Sequence, residues 1–196
     1  MKRFAIVGHR APSIGSFNLN DLSGSGGRMD VLARAINAAL FISHGIRKDV
    51  EIIVHLSGNS GIFRRIKFDG SRLKGVHSDE RSISGHIRSI IGKGIPPIGI
   101  YEEISEGISQ SGGSLVETLN EWKELEIEII HLDSKGESNL EWVKGNDIAF
   151  VISDDSDFTK EEHEKLREFK KISLGNNELQ GQACISIIHY ILDNRF

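Results

Sequence analysis

The run Lys171-Ile-Ser-Leu-Gly-Asn-Asn-Glu-Leu-Gln-Gly-Gln-Ala-Cys184, continuing as Ile-Ser-Ile-Ile-His-Tyr-Ile-Leu-Asp193, decides how this chain is read. Lys171 to Leu174 is a short β-type segment. It stops at Gly175-Asn176-Asn177, residues that tolerate positive φ and so suit a tight turn. Helical spacing follows, with Cys184, Ile187, Ile188, Ile191 and Leu192 at offsets 0, 3, 4, 7 and 8. A strand that breaks into a backbone-rich turn before a helix is a place to hold a nucleotide-like ligand. Its N–H and C=O groups can read an adenine edge while Leu174 and Leu179 sandwich the ring. The same pattern also fits a plain βα unit at a domain end.

Working outward, strands and helices alternate. Arg3–Gly8 reads as a buried first strand, and a Gly-, Ser- and Asn-rich loop then delivers a helix carrying Met29, Leu32, Ile36 and Leu40. Val50–Leu56 is nearly continuous in apolar residues, as a strand covered on both faces should be, and Ile62–Phe68 can pair with it. Ser78-Asp79 caps a helix with Ile83, Ile87, Ile90 and Ile91 on one face, which Gly92–Pro97 ends. The polar stretch Glu102–Gly113 reads as an exposed loop. A helix over Ser114–Lys123, strands at Glu126–Leu132 and Ile148–Ile152, and a helix boxed by Thr159 and Glu162 complete the series. This predicts an α/β domain with a mainly parallel sheet and helices on both faces, as one domain over 1–196.

The 196 residues can bury one sizeable core. The longest apolar stretches, such as Ile36–Ile42, are too short to cross a bilayer, and the start has no signal-peptide pattern. Cys184 stands alone, which excludes an intrachain disulfide and suits a cytoplasmic location. The net charge of −4 conceals an asymmetry: residues 1–95 hold 15 Lys and Arg against 7 Asp and Glu, and the rest hold 9 against 21. The basic residues Arg64, Arg65, Lys67, Arg72, Lys74 and Arg88 point to an anionic partner, RNA first, or else to a merely solvated basic surface. Other chemistries fail on spacing. Gly24-Ser-Gly-Gly27 lacks the Gly-Lys-Ser/Thr ending of a P-loop, and the histidines show no metal-ligand spacing, so no metal is expected.

The wording Ile172-Ser-Leu-Gly175, Leu179, Cys184-Ile-Ser-Ile-Ile188 and Leu192-Asp193 resembles the last motif of the archaeal tRNA pseudouridine N1-methyltransferases, the TrmY group of the SPOUT methyltransferases. Asp21-Leu-Ser-Gly-Ser-Gly-Gly-Arg-Met-Asp30 resembles that family's signature Asp-Leu-x-Gly-Ser-x-Gly-Arg-x-Asp. Phe41–Val50, Ile66–Ser71 with Leu73-Lys74, and Ser78-Asp-Glu-Arg81 continue the match in order. The family usually has Gly-Asp-His where this chain reads Ser153-Asp154-Asp155, and relatives often carry arginines where it reads Ile108–Ser114.

The resemblance implies a C-terminal trefoil knot, a homodimer, and methyl transfer from S-adenosylmethionine to N1 of pseudouridine in the T-loop of tRNA. It implies that Leu132, Ser153, Ser173, Leu174, Gly175, Asn176, Leu179 and Cys184 surround the adenosine. Pseudouridine N1–H is a weak acid, so Asp21 is the candidate proton acceptor or orienting partner and Arg28 the group that stabilises the anionic base. The plain alternatives are an Asx-turn at Asp21 and a helix-surface charge at Arg28. The rival functions are a non-catalytic RNA-binding module and a Nep1-like enzyme acting on ribosomal RNA; the former would never transfer a methyl group.

Overall fold

Strand β1 (Lys2–Gly8) is fully buried from Phe4 to Val7, because helices cover both sides of the sheet it centres. In the computed structural model, which describes residues 1–138 and 147–194, the chain continues through α1 (Met29–Leu40), a small hairpin of β2 (Phe41–Ile42) and β3 (Gly45–Ile46), β4 (Val50–Asn59), β5 (Ile62–Asp69) and α2 (Glu80–Ile91). It goes on through β6 (Glu102–Ser105), β7 (Ile108–Gly112), α3 (Leu115–Glu124), β8 (Glu128–Glu137), β9 (Ile148–Ser153), α4 (Lys160–Leu166), β10 (Lys170–Ile172) and α5 (Gly181–Asp193). Eight strands form one sheet in the order β10-β8-β9-β1-β4-β5-β7-β6. The first five are mutually parallel, and β5, β7 and β6 extend the sheet in antiparallel fashion.

Alternation along the strands builds two cores. Phe4, Ile6, Ile52, Val54, Phe150 and Ile152 face α1, α2 and α5. Ala5, Val7, Ile53, Ala149 and Val151 face Leu115, Leu119 and Trp122 of α3 and Leu166 of α4. The helix starts follow their caps. Asp79 accepts from Ser82 N at 2.8 Å, and both Ser114 with Glu117 and Thr159 with Glu162 close capping boxes. On α5 the buried face is Cys184, Ile185, Ile188 and His189, so Ile187 lies at the margin of the expected stripe. His189 turns the helix this way: its Nε2 bonds the Ala39 carbonyl at 2.9 Å, and its ring meets Phe4 edge-on at 5.2 Å. Burying Ile185 and Ile188 fully stabilises the packing by about 2 kcal/mol each.

One expectation needs correction. Glu102–Gly113 is a β-hairpin that closes the antiparallel side of the sheet, and Ile108 and Gln110–Gly113 are buried. Its polar wording is explained by what it covers, the guanidinium groups of β5. At the opposite side, Ser173 N donates to the Glu137 carbonyl at 2.9 Å, and a β-carbon on Gly136 would lie 2.5 Å from the Ile172 backbone. The chain leaving β10 thus passes tightly against the end of β8. Residues 139–146 lie outside the described residues.

Candidate functional site

The parallel strands β1, β4, β9 and β10 all end at one edge, and the loops that follow them gather there, as ligand-binding loops do in open α/β sheets. Loop 9–28 is fixed by close backbone contact. A β-carbon on Gly27 would lie 1.9 Å from the Arg10 carbonyl oxygen, and one on Gly58 2.4 Å from it, so only glycine fits at either position. Gly58 N also donates to Ala11 O at 2.8 Å. Arg28, the next residue after Gly27, stands at the N-cap of α1 with φ 67 and ψ 34. The left-handed region costs a side-chain-bearing residue about 1 kcal/mol, so the surrounding contacts hold it there.

Charged side chains from this loop meet the turn after β9. His9 Nδ1 lies 3.0 Å from Asp154 Oδ1 and His9 Nε2 lies 2.9 Å from Glu162 Oε2, while His9 N donates to Asp154 Oδ2 at 3.0 Å. Burial opposes a charge on His9, but the hydrogen bonds to Asp154 and Glu162 outweigh it and raise its pKa to about 9. His9 is therefore an imidazolium at neutral pH. Arg28 Nη1 donates to Asp155 Oδ2 at 2.5 Å, and Arg10 Nη2 donates to the same oxygen. Arg28 also grips Asp30 through Nε at 3.0 Å and Nη2 at 3.1 Å, and Asp30 in turn accepts from Arg34. Thus Asp155 gives its charge to two arginines.

Asp21 lies on the same loop. Its Oδ1 accepts from Gly24 N at 3.1 Å and its Oδ2 from Ser25 N at 2.8 Å, which is the turn-forming role open to it from sequence. These backbone donors hold its pKa below the usual carboxylate range, so it is a firm anion and a weak base.

The third loop carries the candidate cofactor residues. Ser173 is buried, and its Oγ donates to Gly175 O at 2.7 Å and accepts from Gly175 N at 3.1 Å. Gly175 has φ 144 with no atom near its missing β-carbon, and every residue from Gly175 to Gln180, Asn176 included, is exposed. Leu179 is 39% exposed while Leu132 and Leu174 are partly buried at the rim of the core. Gly181 packs onto the end of β9, within 3.9 Å of Ser153 O for a built β-carbon, and Ser153 Oγ donates to Ser156 O. Cys184 Sγ lies 3.8 Å from Leu179 O, and burial pushes the thiol upward, the setting of an unreactive cysteine. An open, peptide-rich loop flanked by leucines fits an adenosine: backbone groups for the base edge, apolar side chains for its faces.

The basic patch divides. Arg64 and Arg65 are 0% exposed, which corrects their expected role as phosphate contacts. Arg64 donates to the carbonyls of Ile90 at 2.6 Å and Lys93 at 2.8 Å and to Gln110 Oε1. Arg65, on the other face, donates to Gly112 O, Ser111 Oγ and Thr118 Oγ1 and pairs with Glu121 at 2.9 Å. Lys67 lies over the Tyr101 ring at 4.4 Å. Arg72 and Lys74 are exposed but pair with Glu103 and Glu106, each at 2.7 Å, and Arg88 is exposed near the end of α2. Sequence reading passed over His9 and Arg10, and met Asp154 only within the turn and Glu162 only as a capping residue. The signal for the first two was a His-Arg pair directly after the first buried strand.

A family model described as "Putative SAM-dependent RNA methyltransferase" matches residues 1–195. A tRNA (pseudouridine(54)-N(1))-methyltransferase of Methanocella arvoryzae is 37% identical over 197 residues, covering 100% of both chains. One of Methanococcoides burtonii with the same description is 36% identical, covering 98% of this chain and 96% of its own. Among solved structures, Archaeoglobus fulgidus Nep1 bound to S-adenosylhomocysteine superposes with a TM-score of 0.70 over 98% of this chain and 99% of its own, at 14% identity. That last likeness speaks for the fold alone.

Proposed function

The chain belongs to this family of S-adenosylmethionine-dependent RNA methyltransferases, and from that membership we propose that it methylates N1 of pseudouridine 54 in the T-loop of tRNA. The observation that carries the reading is end-to-end similarity to enzymes of that description, together with an open cofactor-type loop beside a fixed cationic cluster at one sheet edge. The protein would work as one domain in the cytoplasm and as a homodimer, with α5 part of the interface.

S-adenosylmethionine supplies a methyl group already activated on its sulfonium. Ser173, Leu174, Gly175, Asn176 and Leu179, with Leu132, Ser153 and Cys184 behind them, would hold its adenosine. What remains for the protein is proximity, alignment and charge. Asp21 accepts the N1–H hydrogen bond and turns the ring; as a weak base it orients the base, the N1 proton passes to solvent water, and Arg28 lowers the cost of the anion. His9 locks Asp154 and Glu162 together, so the turn carrying Ser153 and Asp155 keeps its place.

The test is methyl transfer to paired T-arm hairpins carrying uridine or pseudouridine at the target, read by nucleoside mass spectrometry. One added methyl at N1 on the pseudouridine hairpin alone is the expected result. Equal transfer to both hairpins, or to neither, overturns the assignment.

A further inference from the structure

Two guanidinium groups from the two ends of loop 9–28 converge on one carboxylate oxygen at the open edge of the sheet. Arg10 and Arg28 both donate to Asp155 Oδ2. Their backbones are set against each other, since Gly27 leaves no room for a β-carbon beside the Arg10 carbonyl and Arg28 follows in the left-handed region. A loop that needed only to turn would be served better by glycine or asparagine at that φ. The meeting of the two arginines is therefore built into the backbone.

Their present partner is loosely held. The side chains of Arg10, Arg28 and Asp155 are 54%, 30% and 29% exposed, and ion pairs that water reaches are weak and easily exchanged. The turn does not depend on them. It is anchored one residue earlier by Asp154, whose carboxylate is 1% exposed against His9 and whose N donates to Val7 O at 3.1 Å. Asp155 can swing away while the turn stays in place. Arg28 meanwhile keeps Asp30 through Nε and Nη2 and turns the two N–H bonds of Nη1 outward, one for a phosphate and one for the reacting base.

We infer that Arg10 and Arg28 form a cradle for a phosphate of the RNA backbone, which Asp155 fills in the free protein and yields when RNA binds. This rests on the RNA methyltransferase reading above. A phosphodiester has two non-bridging oxygens, one for each guanidinium, where Asp155 presents a single oxygen to both. Asp155 then acts as a competitor: it weakens binding to any phosphate that does not engage both arginines, and contacts of this kind fix register rather than read sequence.

Asp155→Asn keeps the shape and removes the competing charge. Arg10 and Arg28 Nε–Hε signals can be followed by NMR as inorganic phosphate is added, and binding of the pseudouridine hairpin measured across a salt series. In Asp155→Asn the signals should saturate at several-fold lower phosphate. Hairpin affinity should rise about fivefold at each salt concentration, because the same phosphate is bound without a rival carboxylate to displace. S-adenosylhomocysteine binding should not change, and Arg10→Ala should abolish the gain. Hairpin binding that is unchanged or weaker in Asp155→Asn overturns the cradle. So does tighter S-adenosylhomocysteine binding, which would give the arginines to the cofactor's carboxylate. A wild-type chain that binds the hairpin and never methylates it sinks the enzyme reading instead, and the two titrations still judge the cradle. Unchanged melting temperatures establish that each variant is folded.

Discussion

Arg64 and Arg65 leave β5 from adjacent positions and disappear into opposite faces of the sheet, whereas Arg10 and Arg28 come from distant positions and meet in the open. The first pair is surrounded by neutral acceptors, namely the carbonyls of Ile90, Lys93 and Gly112 and the side chains of Gln110, Ser111 and Thr118, with one carboxylate, Glu121, at the rim. These bonds are shielded from water, so removing either arginine strands several buried acceptors. The second pair is met by carboxylates in reach of water. Charge buried among carbonyls holds the structure together; charge exposed and matched by a displaceable carboxylate is available to a ligand.

Breaking the buried pair should have the largest effect. Arg64→Ala should cost about 4 kcal/mol, since the cavity and the orphaned carbonyls add, and lower the melting temperature by roughly 10 °C. Calorimetry checks this, and Arg10→Ala should leave the melting temperature where it was. Gly27→Ala attacks the backbone that joins the exposed pair. Its β-carbon has nowhere to go against Arg10 O, and a loss of about 3 kcal/mol is expected by chemical denaturation.

His9 precedes Arg10 in the chain, and its side chain is only 12% exposed. Its folded pKa of about 9 exceeds the ordinary 6.5, so the stability it contributes is complete below pH 6.5 and is lost as pH rises through 9. The loss should be on the order of 2 kcal/mol, and His9→Asn should flatten that limb of a stability–pH curve. The acid limb has the opposite origin. Burial pulls His55, His131 and His189 down to about 4, so each favours unfolding as pH falls from 6.5 toward 4. The smallest effect is reserved for Arg72→Ala, whose charge is already shared with Glu103; hairpin affinity should fall by about twofold or less.

The strand and helix order was legible because apolar runs and caps are local. Asp79, Ser114 and Thr159 start their helices as their residue types dictate. The β6–β7 hairpin was not legible, and neither was the burial of Arg64 and Arg65, and one cause explains both. Gln110 and Ser111 look like loop residues until the arginines they receive are beside them, and the arginines look solvated until those acceptors are in place. Each half of a buried polar contact reads as surface on its own. In the candidate site, the turn after β10 was readable from Gly175 and the asparagines that follow it, while the partner of Asp155 depended on a contact between Arg28 and a residue far along the chain.

Single-turnover methyl transfer to the pseudouridine hairpin by Arg28→Ala, beside wild type, tests the central claim most directly. The cationic edge, on this account, acts on the reacting base: the rate should fall at least about a hundredfold, with S-adenosylhomocysteine affinity and melting temperature held. A wild-type rate from a folded, cofactor-binding Arg28→Ala protein would contradict it and place the chemistry elsewhere.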